Sequence, residues 1–108
     1  MSKIDIESFK IELRRGTQIL IVLSQLSEKE YGYSLLEKLV AKNVNIEAGT
    51  LYPLLRRLEN QGLLISEWDT TESRPRKYYV ISELGEQVLE DLKNEWKEIN
   101  NEVINIVG

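Results

Sequence analysis

The chain has 108 residues, of which 42% are hydrophobic and 30% are charged, a balance typical of one globular domain. It contains no cysteine and no histidine, which excludes disulfides, iron–sulfur centres, the common zinc sites and any catalytic triad built on an imidazole. The net charge of −4 argues, taken alone, against a nucleic-acid partner.

Nothing in the chain predicts a membrane protein or an enzyme. The first residues contain no cationic stretch leading into a long apolar one, so no signal peptide is expected. The longest apolar run, residues 19–23, is far shorter than the roughly 20 residues of a membrane span. No glycine-rich phosphate loop and no grouping of nucleophile and base occur. We expect a cytoplasmic protein with no membrane contact, no cofactor, no metal site and no catalytic residue.

Three helices are predicted in the first 61 residues. The first covers about residues 7–26, with an apolar face formed by Phe9, Leu13, Leu20 and Leu23. Its segment 19–23 is apolar all round, which predicts burial on more than one side, although a short strand is an alternative there. The second helix covers about residues 32–42. Its apolar residues at core spacing are Leu35, Leu36, Leu39 and Val40.

A third helix, a hairpin and a fourth helix complete the prediction. The third helix runs over residues 48–61 and is ended by Gly62. Residues 64–69 and 77–81 are rich in β-formers and flank a polar linker, which predicts a hairpin. Ser82 is a good N-cap for a helix that begins at Glu83. The fold class is therefore mainly α with a small β-hairpin, a winged helix-turn-helix over residues 1–82 followed by a C-terminal dimerisation helix over 83–108.

The third helix has two different faces. One side is apolar and carries Leu51, Leu54, Leu55 and Leu58. The other carries Gly49, Pro53, Arg56 and Asn60, with Tyr52 and Arg57 beside them. A helix that reads the major groove needs close approach near its start and hydrogen-bond donors, which this face offers. An ordinary solvated face is the alternative. However, Pro53 lies inside the helix, where proline removes a backbone hydrogen bond, and such unfavourable residues are more frequent at functional surfaces.

The predicted hairpin adds cations to that face. Arg74, Arg76 and Lys77 cluster around Pro75, which suits contact with phosphates, although a charged turn that aids solubility would look the same. The acidity of the chain lies elsewhere. Residues 78–108 contain seven acidic and two basic side chains, whereas residues 1–77 contain eleven acidic and twelve basic ones. The net charge therefore does not exclude DNA.

These motifs resemble those of the PadR-like winged-helix transcriptional regulators. The matching segments are Tyr31-Gly32-Tyr33, the run from Gly49 to Leu55 continued by Arg57-Leu58-Glu59, Gly62-Leu63-Leu64, the run from Arg74 to Tyr79, and Ser82 with Gly85. The resemblance implies a bacterial homodimeric repressor that binds an inverted-repeat operator in double-stranded DNA. It also implies a single C-terminal helix of the short-tailed subfamily that mediates dimerisation.

The resemblance also implies site residues. The recognition helix would face DNA with Thr50, Tyr52, Pro53, Arg56 and Arg57. The wing would hold phosphates with Arg74, Arg76 and Lys77, and Tyr31 would reach the backbone from the start of the second helix. Two features depart from the family pattern, because Glu47 stands near the cap position of the recognition helix and the wing tip lacks glycines. They leave room for an alternative, a winged-helix module that binds protein and no operator.

The last helix predicts a dimer contact. A 3-4-3-4-3 spacing, typical of a helix seam with a partner, connects Leu89, Leu92, Trp96, Ile99, Val103 and Ile106. The apolar segment of the first helix would complete this interface. Trp96 lies in the middle of the seam, where its indole and its symmetry mate could bound a slot for a small aromatic effector. Simple core packing of Trp96 is the alternative.

Overall fold

The structure is a computed structural model that describes residues 4–108. Its elements, in chain order, are α1 (Ile6–Arg15), α2 (Gln18–Ser24), β1 (Glu30–Tyr31), α3 (Gly32–Ala41), α4 (Ala48–Asn60), β2 (Leu64–Asp69), β3 (Arg76–Ile81) and α5 (Glu83–Val107). This is a winged helix-turn-helix with a long C-terminal helix, so the predicted fold class is confirmed. Within the described part of the chain, no helix is both long enough and apolar enough to cross a membrane.

The predicted single first helix is wrong, because the chain breaks between α1 and α2. Gly16 and Thr17 separate the two helices. Both the amide and the hydroxyl of Thr17 donate to the Arg14 carbonyl, at 3.0 and 2.7 Å. In a continuous α-helix, the Arg14 carbonyl would accept from the amide four residues later, but here Thr17, three residues later, donates to it. The neighbouring Gly16 also has a low helix propensity. The break separates an exposed α1 from an α2 whose Val22 and Leu23 are buried.

The sheet has one strand more than the predicted hairpin. β2 and β3 pair antiparallel as expected, with Ser66 opposite Tyr79. β1 pairs with the other edge of β3, where Tyr31 stands opposite Tyr78. Two residues are too few to show the alternation by which a strand is recognised in sequence. β1 places Tyr31 on the wing at the point where α3 begins.

The core lies between α4, the sheet and the helices α2 and α3. The leucines on the predicted apolar side of α4 are buried in this core, Leu54 only partly. Its fully buried leucines are Leu23, Leu26, Leu35, Leu39, Leu51, Leu55 and Leu58. Val40 was expected there and is instead 57% exposed. It is about 100° around the helix from Leu39, beyond the narrow stripe that α3 buries.

The ends of α4 and the start of α5 meet at one junction. Gly62 adopts a left-handed conformation with φ of 81°, and the Leu63 amide donates back to the Leu58 carbonyl at 2.9 Å, which ends α4. The Ser82 hydroxyl donates to the Gly62 carbonyl at 2.6 Å and accepts from the Gly85 amide at 2.9 Å. Ser82 therefore caps α5, as predicted, while it ties that helix to the end of α4.

Candidate DNA interface

The helix α4 presents its polar side to solvent. Thr50, Pro53, Arg56 and Arg57 are exposed, whereas Leu51, Leu55 and Leu58 on the opposite side are fully buried. An added Cβ at Gly49 would meet nothing within 4 Å, so the surface around the first turn is open. The helix runs past Pro53 to Asn60. The two faces of α4 that the sequence predicted, one apolar and buried and one polar and exposed, are therefore present.

Tyr52 is a packing residue as well as a surface residue. Its ring is half-buried against Gly32, the first residue of α3. A Cβ at position 32 would lie 3.0 Å from a ring carbon of Tyr52, so a larger residue there would push the ring away. Gly32 thus allows α3 and α4 to approach closely. The sequence motif contained Gly32 but no pattern that assigned it this role.

Tyr31 and Arg76 are joined at the base of the wing. The Tyr31 hydroxyl donates to Asp69 at 2.6 Å, and the guanidinium of Arg76 lies over the Tyr31 ring, 4.3 Å from its centroid. Arg76 also forms an ion pair with Glu72 at 3.5 Å. The hydrogen bonds from Tyr31 and Thr71 hold the pKa of Asp69 at about 2, below its ordinary 3.8. Both predicted DNA-facing residues therefore have partners within the wing.

Lys77 is hydrogen-bonded to helix α4. Its ammonium donates to Glu59 on α4 at 2.9 Å, and Glu59 also accepts a hydrogen bond from the Ser66 hydroxyl on β2. These two bonds hold the pKa of Glu59 below its ordinary value. Arg74, by contrast, is exposed. Among residues 4–108 no ion pair involves Arg56, Arg57 or Arg74.

A cleft of about 820 Å³ separates the wing from the start of α3 and includes Tyr52 of α4. Tyr31, Tyr33 and Tyr52 line one part of it, and residues 74–77 line the other. The structure thus brings the predicted residues of the wing, Tyr31 and Tyr52 to one surface. Gly32 also lines this cleft, and Glu59 and Asp69 are bonded to its lining residues Lys77 and Tyr31. The sequence assigned none of these three residues a role here, because their partners lie 7 to 38 positions away in the chain.

The predicted seam lies on another surface. Leu89 and Leu92 are partly buried against the core, whereas Trp96, Ile99 and Val103 are 43%, 47% and 50% exposed and Ile106 is more so. A second cleft, of about 520 Å³, lies between α5 and the helices α1 and α2. Trp96, Leu13 and Leu20 are among its lining residues. Among residues 4–108, none lines both this cleft and the cleft beside the wing.

Known proteins are similar to this chain in sequence and in fold. The family model described as "Transcriptional regulator PadR-like family" matches residues 19–91 of the sequence. Transcriptional regulator Rv3488 of Mycobacterium tuberculosis is 32% identical over 94 residues, which cover 86% of this chain and 88% of that protein.

Solved structures agree with this match. The crystal structure of a PadR family transcriptional regulator from Eggerthella lenta is 48% identical with a TM-score of 0.90, covering 94% of this chain and 91% of that one. A PadR-like transcriptional regulator from Bacillus cereus is 29% identical with a TM-score of 0.76, covering 89% and 96%. These relatives are regulators and not enzymes. The chain therefore belongs to the PadR-like family of transcriptional regulators.

Proposed function

We propose that this regulator is a repressor that binds an inverted-repeat operator in double-stranded DNA as a homodimer. The observation that carries the proposal is the set of exposed arginines without ion-pair partners among residues 4–108, Arg56 and Arg57 on α4 and Arg74 on the wing. Free guanidinium groups on one helix and an adjacent loop suit contact with base edges and with phosphates. Membership of a family of transcriptional regulators supports the same conclusion.

The exposed seam of α5 supports the homodimer. Trp96, Ile99 and Val103 form an apolar stripe that the single chain leaves about half exposed. Stripes of this kind on soluble proteins mark interaction surfaces. A second copy, bound through α5 with α1 and α2 completing the contact, would bury the stripe. The two copies of α4 would then lie about 34–36 Å apart, one turn of DNA.

The test is an electrophoretic shift on the DNA upstream of the gene, repeated across salt concentrations. Roughly 6–10 phosphate contacts should lower the affinity by about 10³–10⁵ between 50 and 200 mM salt. Arg74→Ala should weaken binding to all sequences alike, because a phosphate contact carries no sequence information. Arg56→Ala should also reduce discrimination between operator and random DNA.

Two results would contradict the proposal. Specific binding that is unchanged in a variant lacking Arg56, Arg57 and Arg74 would show that other residues contact the DNA. A wild-type dimer that binds no DNA at low salt, yet retains a protein partner, would favour the alternative of a winged-helix interaction module.

We further propose that a small aromatic effector binds beside Trp96 and releases the operator. The cleft of about 520 Å³ between α5 and the first two helices has an indole in its wall and apolar neighbours such as Leu20 and Ile99. A flat aromatic compound fits such a wall. The effector weakens DNA binding only if it binds better to a dimer whose recognition helices are wrongly spaced.

Fluorescence tests the effector. With Trp68 replaced by phenylalanine, Trp96 is the only tryptophan, and planar phenolic compounds and polycyclic cations are titrated while operator affinity is measured. Quenching together with weaker operator binding is expected for some of them. If none quenches Trp96 and the operator affinity never changes, Trp96 is a packing residue only.

A further inference from the structure

Glu59 joins the recognition helix to both strands of the wing. It lies in the last turn of α4, where one carboxylate oxygen accepts from the Lys77 ammonium on β3 at 2.9 Å. The other accepts from the Ser66 hydroxyl on β2. Ser66 and Lys77 stand on neighbouring strands of the antiparallel pair, so one side chain contacts the hairpin at two points. We call this group of three residues the Glu59 bridge.

The Glu59 bridge differs from the other ion pairs of residues 4–108. It contains the shortest one, and both of its charged side chains are about 70% buried, at 30% exposed for Glu59 and 28% for Lys77. The ion pair within the wing, between Arg76 and Glu72, is longer and more exposed. Partial burial reduces solvent screening, so this pair holds its geometry better than surface pairs do.

Lys77 is held on a second side. Its ammonium lies 5.2 Å from the centroid of the Tyr79 ring, and Tyr79 is buried in the core. The hydrogen bond to Glu59 raises the pKa of Lys77, so the ammonium keeps its charge at neutral pH. Two contacts therefore orient the Lys77 ammonium toward the protein, whereas Arg74, three residues earlier, is exposed.

We propose that Glu59 is a positioning residue for DNA binding, because the Glu59 bridge sets the distance and angle between the wing and α4. Lys77 then acts within the bridge and does not bind phosphate. The arginines of α4 and Arg74 of the wing can reach one stretch of DNA together only while the two elements keep a fixed geometry. The proposal rests on the proposed operator binding.

The direction in which one substitution changes the affinity for DNA distinguishes this role from simple electrostatics. Glu59→Gln removes a negative charge from a helix that faces DNA, so electrostatics alone predicts tighter binding. Loss of the bridge predicts weaker binding, by about five- to tenfold because the ion pair occurs once in each protomer. The matched control is Glu67→Gln on β2, which makes the same charge change. Glu67 accepts from Tyr78 at 2.7 Å and forms no hydrogen bond to α4 among the described residues.

A charge exchange tests whether Lys77 binds phosphate. Lys77→Glu alone should weaken operator binding at least tenfold, because it places two carboxylates together. The double variant Glu59→Lys with Lys77→Glu restores an ion pair of reversed polarity, and its affinity should return to within about threefold of the wild type. If Lys77 contacts phosphate, the double variant stays as weak as Lys77→Glu.

Hydrogen exchange measures the bridge without DNA. The amides of β2 and β3 should exchange about fivefold faster in Glu59→Gln than in Glu67→Gln, because the hairpin has lost its attachment to α4. Ser66→Ala removes one of the two hydrogen bonds to Glu59 without changing the charge, and should give a smaller increase in the exchange rate. Circular dichroism checks that each variant is folded.

The outcomes are distinguishable. Equal or tighter operator binding by Glu59→Gln relative to Glu67→Gln, failure of the charge exchange to restore binding, or unchanged exchange in the hairpin overturns the role of Glu59. A wild-type protein that binds no DNA overturns the proposed function instead, and the exchange rates still decide whether the bridge holds the wing.

Discussion

The two ends of the molecule differ in how completely their apolar side chains are buried. Around α4 and the wing, Leu51, Leu55 and Leu58 are fully buried, and some charged side chains have specific partners, such as Glu59 for Lys77. Along α1 and the second half of α5, no side chain of α1 is buried and Trp96 and Ile99 are nearly half exposed. The first region completes its own core, whereas the second has an apolar surface that a single copy leaves in water.

The difference supports a different proposed partner for each surface. A region whose core is complete can present exposed cations on a rigid frame, as Arg56 and Arg74 are presented, and this suits DNA. A region with an exposed apolar stripe gains free energy mainly by burying that stripe. The acidic residues of 78–108, seven against two basic ones, also disfavour DNA at this end. The comparison can be tested from either side.

The largest effect is expected in the stripe on α5. Ile99→Glu with Val103→Glu should abolish the dimer, raising its dissociation constant at least about a thousandfold, since apolar side chains buried at roughly 1.5–3 kcal/mol each are replaced by charges. Light scattering after size exclusion measures the change. Asn94→Glu with Asn101→Glu is the matched control, because it adds the same charge to the opposite side of the same helix. A dimer that persists in the first variant would place the interface elsewhere.

A smaller effect is expected where α5 joins the core. An added Cβ at Gly85 would lie 2.7 Å from Cγ1 of Ile81 and against the Leu63 carbonyl oxygen. Gly85→Ala should therefore lower the free energy of unfolding by about 1–3 kcal/mol. Gly16→Ala is its control, because a Cβ there meets nothing within 4 Å and the backbone is right-handed helical. Thermal unfolding of both should show a loss only for Gly85→Ala, and equal effects would argue against the close approach.

The smallest effect concerns the wing and depends on pH. The ionised form of Asp69 is stabilised in the fold, where its pKa is about 2 and the Tyr31 hydroxyl is the main cause. This stability is present above the ordinary pKa of 3.8 and is lost as the pH falls toward 2. Tyr31→Phe should therefore lower the melting temperature slightly at pH 7, with the difference shrinking as the pH is lowered from about 4 toward 2. A difference independent of pH would mean that the hydrogen bond to Asp69 contributes little.

The elements could be predicted wherever one short stretch of chain determines them. The two faces of α4, the left-handed Gly62, the Ser82 cap and the hairpin depend on residues within one or two turns, and all were predicted. The first helix was predicted as one piece because its hydrophobic pattern continues through Gly16 and Thr17. The break follows from the Thr17 hydrogen bonds to Arg14, which a hydrophobic pattern does not contain.

The candidate site could be predicted only as a set of residue types. Arg56, Arg57 and Arg74 are exposed as the pattern indicated. The sequence treated Arg76 and Lys77 as equivalent to Arg74, whereas the fold gives each of them an acidic partner, Glu72 and Glu59. Whether a cation is free depends on which carboxylate folds beside it.

The sequence by itself determined the winged helix-turn-helix, the apolar side of α4 and the family to which the chain belongs, because periodicity, caps and motifs are local properties of a chain. Only the tertiary structure decided that Glu59 contacts both strands of the wing, that Tyr31 contacts Asp69, and that Gly85 lies against Leu63. The physical reason is distance along the chain. Such contacts join residues 7 to 38 positions apart, and their partners are chosen when packing of the core brings separate elements together.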